Sequence, residues 1–565
     1  MSDDLLTRGV TSYFQFTAEL SHSLIAQTCL AYLLQFDTHT FNSLDQVIWS
    51  SPLAEYAARY WIDHAHNGGI NKSETSWMFR LAVKLFVPES AQFINWVKLY
   101  GVDEIATPLY YASRAGLVQA LEHLLEMEGD INIKEGQYGN ALQAASSGGH
   151  EVIVKMLLEK GADVNAQGRF YGNALQAASS GGHEVIVKLL LEKGADVNAQ
   201  GRFYGNALQA ASFCGHEVIV KLLLEKGADV NAQGGHHGSA LQAASSGGHE
   251  VIVKLLLEKG ADVNAQGGLY ENALQAASFC GHEMIMKLLL EKGADVNAQG
   301  GHYGNALQAA SSGGHEVIVK LLLEKGADVN AQGGLYENAL QAASFCGHEV
   351  IVKLLLEKGA DVNAQGREYG NALQAASFSG HEVIVELLLE KGGDVNAQGG
   401  EYGDALQAAS FSGHEVIVKL LLEKGADVNA QGGLYENALQ AASSGGHEAI
   451  VKFLLEKGVD VKTQGGHYSN GLQAASSGGH EVIVNLLLEK GVDVNTQGGH
   501  YGNALQAASY GGHEVIVKLL LEKGADVNAQ GGLYGNALQA ASSGGHEVIV
   551  TLLLEKGADV NTLEK

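Results

Sequence analysis

The stretch from Ala162 to Gly194 reads ADVNAQGRFYGNALQAASSGGHEVIVKLLLEKG, and the same 33-residue sentence recurs with small changes from Thr107 to Asn561. A fixed internal period of this length marks stacked supersecondary units, each too small to bury its own apolar face and each completed by its neighbours. Stacked units build a long open face, so the period points to surface recognition before any single residue is weighed.

Within the quoted copy, Asn173 precedes Ala174-Leu175-Gln176-Ala177-Ala178-Ser179, a helix-forming run that stops at Gly181-Gly182. Asparagine accepts a hydrogen bond from an orphaned first-turn amide, and glycine supplies the left-handed torsions of a helix end, which predicts a helix of about two turns. A second helix is expected from near His183, with Glu184 at its positive dipole end, Lys193 in its last turn and Gly194 just past it. Its Val185-Ile186-Val187 and Leu189-Leu190-Leu191 make it apolar on most sides, so neighbouring copies must cover its flanks. The link from Ala195 to Gly201 leads through Tyr204-Gly205 to the next capping Asn206, a glycine-rich stretch suited to a projecting β-turn. The expected fold is therefore all-α, a solenoid of about 14 copies counted from Thr107, the first of them degenerate.

Composition divides the chain in two. Every tryptophan (Trp49, Trp61, Trp77, Trp96) and every proline (Pro52, Pro88, Pro108) lies in the first 108 residues, which places a boundary between residues 1–102 and 103–565, near Gly101 to Thr107. The first part reads as a small helical domain. Ser51-Pro52 forms a cap with proline at the first helical position, followed by Leu53, Tyr56, Ala57, Tyr60, Trp61 and His64 at helical spacing. Further helices are expected over Leu24 to Phe36, Trp77 to Phe86, and Ser90 to Tyr100 with Gly101 as the stop.

A formal net charge of −27 argues against a phosphate-binding surface, because nucleic-acid affinity rests on lysine and arginine displacing counterions; anionic membranes are disfavoured likewise. No apolar run approaches the roughly 20 residues that span a bilayer, and Met1-Ser2-Asp3-Asp4 lacks the basic start of a signal peptide. A soluble, cytoplasmic protein is expected. Cys214, Cys280 and Cys346 stand two copies apart, about 20 Å at the usual helix-layer spacing, too far for the roughly 4.4–6.8 Å that a disulfide spans. Reduced thiols fit the cytosol.

The repeat resembles the ankyrin repeat, with GHEVIVKLLLEKGADVNA matching that family's second helix and exit loop. The family signature T-P-L-H-x-A stands as Thr107-Pro108-Leu109-Tyr110-Tyr111-Ala112 in the first copy and mostly as Asn-Ala-Leu-Gln-Ala-Ala afterwards, with glutamine where the family has histidine. The N-terminal wording, SHSLIAQTCLAYLLQF from Ser21 and PLAEYAARYWIDHAH from Pro52, resembles the helical segment between the NACHT nucleotidase and the ankyrin array of fungal NOD-like receptors. Those receptors carry a phosphate-binding loop, whereas this chain contains no Gly-Lys dipeptide, so no ATP or GTP site is assigned. The resemblance implies a receptor's sensing half, standing alone or cut short.

Candidate chemistry yields no catalytic residue, cofactor or metal. The histidines of Gly-His-Glu (His183, His216, His249, His282) recur one layer apart, about 10 Å, whereas ligands of one zinc lie about 2 Å from it. Each imidazole is expected to bond to neighbouring loop backbone. Asp63-His64-Ala65-His66 offers residues two apart, which face different sides of a helix. Ser179 and Ser245 follow packed alanines with no activating base beside them, so no enzyme is expected. Tyr171, Tyr204, Tyr270 and Tyr303 are expected to pack the hairpins.

What varies between copies is more informative. Differences concentrate in the loop before each first helix, as in Arg169-Phe170, Gly235-His236 and Gly268-Leu269, and at that helix's end, where Ser180 and Ser246 alternate with Phe213, Phe279 and Tyr510. In the ankyrin family these positions line the concave recognition face. The consecutive layers of Phe345, Phe378 and Phe411, flanked by Leu335, Arg367, Glu368, Glu401 and Leu434, make the candidate binding strip for a protein or peptide, expected as exposed aromatics over about 20–30 Å. Drift is the competing account, since GGLYENALQAASFCGHE is identical at Gly267 and Gly333. The last helix, Glu547 to Lys556, keeps its full apolar set, which leaves self-association through the C-terminal repeat as a further expectation. A non-signalling scaffold or self-associating rod is thus the rival to partner recognition, and a nucleotide-driven switch requires residues upstream of Met1.

Overall fold

The computed structural model describes residues 18–36, 51–70, 77–101, 106–127, 129–168 and 172–560. Trp49, the Arg169-Phe170-Tyr171 loop and most of the expected boundary, 102–105, lie outside the described residues. The chain divides into two compact units, Met1–Ala273 and Leu274–Lys565.

The first unit opens with α1 (Ala18–Leu33), α2 (Ala54–Asn67), α3 (Trp77–Leu85) and α4 (Ala91–Tyr100). Ser90 caps α4 by accepting the Phe93 amide at 3.2 Å, and Gly101 ends it at φ 80°, as the sequence predicts. The start of α2 differs from expectation. Ser51 and Pro52 stand in a preceding turn, where the Ala54 amide donates to the Ser51 carbonyl at 2.9 Å, and the helix begins at Ala54. Its buried face is Ala54, Ala57, Ala58, Trp61 and Ala65, while Leu53, Tyr56 and Tyr60 stay exposed. Helix α1 already includes Ala18, six residues before Leu24, and ends at Leu33.

Burial in this segment centres on rings. Trp61 and Trp96 meet at 6.0 Å, Phe86 and Phe93 close around them, and the Trp96 indole donates to the Ala58 carbonyl at 3.1 Å. Tyr111 of the first repeat joins the cluster, 5.3 Å from Trp96. His66 Nε2 lies 2.5 Å from the Ala115 carbonyl and its ring stacks on His150. Helices before Gly101 therefore abut the first copies within one unit.

The copies follow as helix pairs: α5 (Pro108–Arg114) with α6 (Val118–Leu125), α7 (Ala141–Gly148) with α8 (Glu151–Glu159), α9 (Ala174–Gly181) with α10 (Glu184–Glu192). Among the described residues there are fourteen such pairs, ending with Ala537–Ser543 and Glu547–Glu555. No described helix is long and apolar enough to cross a membrane.

Local chemistry explains each pair. Asn173 accepts the Gln176 amide at 2.9 Å while Gln176 Oε1 accepts the Asn173 amide at 3.2 Å, a reciprocal cap that leaves few first-turn donors unmet. The helix stops at Gly182, φ 77°. In α10, Ile186, Val187 and Leu190 are buried, but Val185 is 53% exposed, so the first valine of the apolar triplet faces solvent. Glu184 pairs with Lys188 one turn on.

Three polar columns then join copy to copy. Gln176 donates through Nε2 to the Ala199 and Gly205 carbonyls of the next copy, at 2.8 and 2.9 Å. His183 bonds the Ser147 carbonyl of the preceding copy at 3.0 Å, the backbone role expected for it. Asn165 accepts the Asp196 amide at 2.8 Å and donates to the Gly194 carbonyl at 3.2 Å. The second unit repeats all three, as in Gln341, His348 and Asn330. Glutamine thus fills the slot of the signature histidine by serving cap and neighbour at once.

Candidate partner-binding face

The varying residues of each copy come from two elements, the hairpin before the first helix and the last turn of that helix. Isolated antiparallel bridges such as Gly399 with Gly403 and Gly432 with Glu436 close the hairpins. Adjacent hairpins approach so closely that a Cβ on Gly433 would stand 2.4 Å from the Gly403 amide nitrogen, and Gly433 has φ 65°, so glycine is required there on both counts.

That approach builds a backbone ladder across the tips. In the second unit the Glu401 amide donates to the Glu368 carbonyl at 2.8 Å, Leu434 to Glu401 at 2.7 Å, His467 to Leu434 at 2.9 Å, His500 to His467 at 2.8 Å and Leu533 to His500 at 2.9 Å. Sequence reasoning missed this ladder, although the Gly-Gly pair before most tips was its signal.

Behind the tips the hairpin tyrosines interleave with the helix-end residues. Phe345 lies 4.6 Å from Tyr369, Phe378 4.6 Å from Tyr402, and Phe411 4.7 Å from Tyr435. The column continues through Tyr468, Tyr501 and Tyr534 at steps of 6.2, 6.0 and 6.3 Å. The tyrosines pack the hairpins, and in doing so they shield the phenylalanines.

Two expectations about the strip need correction. Phe345, Phe378 and Phe411 are half-buried, because a tyrosine ring covers part of each. Their rings are 6.3 and 6.5 Å apart in successive layers, much closer than the expected 20–30 Å span implies. Helix axes keep about 8–10 Å, but side chains on this face lean together until ring faces meet. Around them Leu335 is 37% and Leu434 45% exposed, Glu401 is exposed and Glu368 half-buried. Arg367 projects into solvent and pairs with Glu337 at 3.3 Å.

Charge is uneven along the face. Burial raises the Tyr369 hydroxyl well above its ordinary range, followed by its hydrogen bond with Glu368; burial, then Glu401 and Glu368, raise Tyr402. Asp404 stands where most other copies carry the capping asparagine, and burial pushes its carboxyl up to about 6. In the first unit His237 replaces the hairpin tyrosine and stacks on Phe213 at 4.2 Å. Both of its ring nitrogens lack a hydrogen-bond partner, and burial holds its pKa down at about 4, with His236 adding to the shift.

The remaining candidates resolve simply. Ser179 and Ser245 are fully buried with no hydrogen-bond partner for their hydroxyls, a position from which neither meets solvent or a base. No disulfide joins Cys29, Cys214, Cys280 or Cys346. Among the described residues no three His, Cys, Asp or Glu side chains gather to hold a metal ion.

Comparison with known proteins agrees with this geometry. The family model described as "Ankyrin repeats (3 copies)" matches residues 81–168, 167–234, 233–300, 301–366, 363–432, 406–498 and 472–564. The chain is also similar to "Azaphilone pigments biosynthesis cluster protein L" of Monascus ruber, 42% identical over a stretch covering 22% of this chain and 31% of that protein. The chain thus spans about a third of the length of that relative.

Proposed function

Because the chain belongs to the ankyrin repeat family, a non-catalytic binding module, we propose that it recognises a protein or peptide partner on the face formed by its hairpin tips and first-helix ends. The observation that carries this reading is the coincidence of sequence variation with the ring column: residues change most where the rings and tips meet solvent and hardly change in the stacking core. The strip of Leu335, Phe345, Arg367, Glu368, Phe378, Glu401, Phe411 and Leu434 is the centre of this proposed face. Cysteines without disulfides support a cytosolic setting. The similarity to the pigment-cluster protein carries no role in pigment synthesis over to this chain.

Affinity capture from fungal lysate tests the reading, using the native chain beside one with Phe345, Phe378 and Phe411 all changed to serine. Serine occupies the same place in Ser180 and Ser246, so the fold tolerates it. Loss of specific partners in the variant is expected; identical partner sets overturn the strip.

A finer reading rests on residues 1–102, whose wording resembles the segment beside fungal NACHT domains: the chain serves as the sensing part of an intracellular receptor. In-frame genomic sequence before Met1 encoding a phosphate-loop lysine would support that role and revive the nucleotide-driven switch. The rival rod or scaffold reading predicts mass growing with concentration, which light scattering measures directly.

A further inference from the structure

Along the second unit the tips run Leu335, Glu368, Glu401, Leu434 in four consecutive copies. From Phe203 onward every other tip carries phenylalanine, histidine or leucine, so the two acidic tips are adjacent and unique in the row. They coincide with the three consecutive phenylalanine layers, Phe345, Phe378 and Phe411. Their backbones are joined by the Glu401 amide to Glu368 carbonyl bond of 2.8 Å, which holds both carboxylates at one rim. The cation at that rim, Arg367, is engaged with Glu337.

The layer step supplies a second constraint. Rings repeat at 6.3 Å from Phe345 to Phe378 and 6.5 Å from Phe378 to Phe411, and Tyr402 to Tyr435 is again 6.5 Å. Two residues of extended chain rise about 6.4–6.8 Å, so an extended segment laid along the column presents every second side chain to a successive copy. A helix, rising about 1.5 Å per residue, places side chains one turn apart at about 5.4 Å and drifts out of step within a few layers.

Together these observations specify an occupant, and this rests on the partner-binding reading above. We infer that the face from Leu335 to Leu434 takes an extended protein segment of the pattern apolar-x-basic-x-basic-x-apolar. The two basic side chains sit at the Glu368 and Glu401 carboxylates, against the Tyr369 and Tyr402 rings, which attract cations through their faces. The apolar residues cover Leu335 with Phe345 at one end and Leu434 with Phe411 at the other. The pattern reads the same in both directions, so spacing and charge set the recognition and not chain polarity.

The experiment measures fluorescence anisotropy of labelled seven-residue peptides with the full chain. One probe alternates leucine, threonine, arginine, threonine, arginine, threonine, leucine; a second keeps this composition but moves both arginines to the ends; a third replaces arginine by glutamate. The first is expected to bind at least tenfold more tightly than the second, and the third not at all. The double change Glu368→Gln with Glu401→Gln should weaken the first probe tenfold or more, while Glu382→Gln with Glu415→Gln, on the second helices, leaves it unchanged. Equal binding of the first two probes, or indifference to the rim change, overturns the inference, because either result means only attraction to a chain of net charge −27. Lysate partners that depend on the phenylalanines, found alongside such a failure, would leave the broader binding role standing.

Discussion

Trp61, Trp96, Phe86 and Phe93 interlock in the helices before Gly101, whereas the copies after Thr107 bury alanine, leucine, isoleucine and valine and join through side chains that reach backbone one copy away. The first arrangement is a single jigsaw in which each ring touches several others. The second is a set of closely similar joints, each satisfied by its neighbour. Damage to a jigsaw spreads through its whole segment, while damage to a joint stays local.

Trp96→Ala is the strongest way to expose that contrast. Removing a fully buried ring costs about 3–5 kcal/mol. All four tryptophans lie before the repeats, so their fluorescence reports the N-terminal helices while circular dichroism reports mostly the copies. The fluorescence transition should move to lower urea with the dichroism transition nearly in place. Equal movement of both would mean that the two regions unfold as one.

Asp404→Asn comes next and acts within one joint. The folded carboxyl has a pKa of about 6 against an ordinary 3.8, so the folded chain binds the proton more tightly than the unfolded one. Its contribution to stability is complete below pH 3.8 and lost as pH rises to about 6. At pH 7 the charged form costs about 3 kcal/mol. Asparagine, the usual cap, should raise the urea midpoint of the second unit at pH 7 and flatten its dependence between pH 4 and 7. An unchanged pH profile would contradict the burial argument.

The smallest effects belong to the asparagine column. Asn330 accepts the Asp361 amide at 2.8 Å and donates to the Gly359 carbonyl at 3.2 Å. Asn330→Ala should cost about 1–2 kcal/mol at that joint. Lys462 occupies the equivalent place two joints before the last asparagine bond of the column, and Lys462→Asn should gain about 1 kcal/mol by supplying the missing acceptor for Asp493. Hydrogen exchange read copy by copy measures both; slowed exchange spread over the whole array would break the picture of local joints.

Much of the repeat was legible because its cues are local. Asn173 as cap, Gly182 as stop and His183 as a backbone partner follow from residue chemistry within one period. The N-terminal helices were less so: Leu53, Tyr56 and Tyr60 have helical spacing yet lie exposed, because α2 turns its alanine and Trp61 face toward α1 and α4 instead. The proposed site residues stand out as variable positions, but half-burial of Phe345, Phe378 and Phe411 depends on tyrosines 24 residues further along each time, and no reading of one copy reveals that.

The sequence by itself determined the all-α repeat, its period and its capping chemistry, since a period of 33 residues written with Asn, Gly and alternating apolar runs leaves little other choice. Only the tertiary structure decided which faces meet. The tip ladder, the ring step of 6.3 to 6.5 Å and the pairing of Glu368 with Glu401 at one rim arise from contacts between copies. Such contacts depend on how far side chains lean across a layer, a distance that packing sets and spacing along the chain does not.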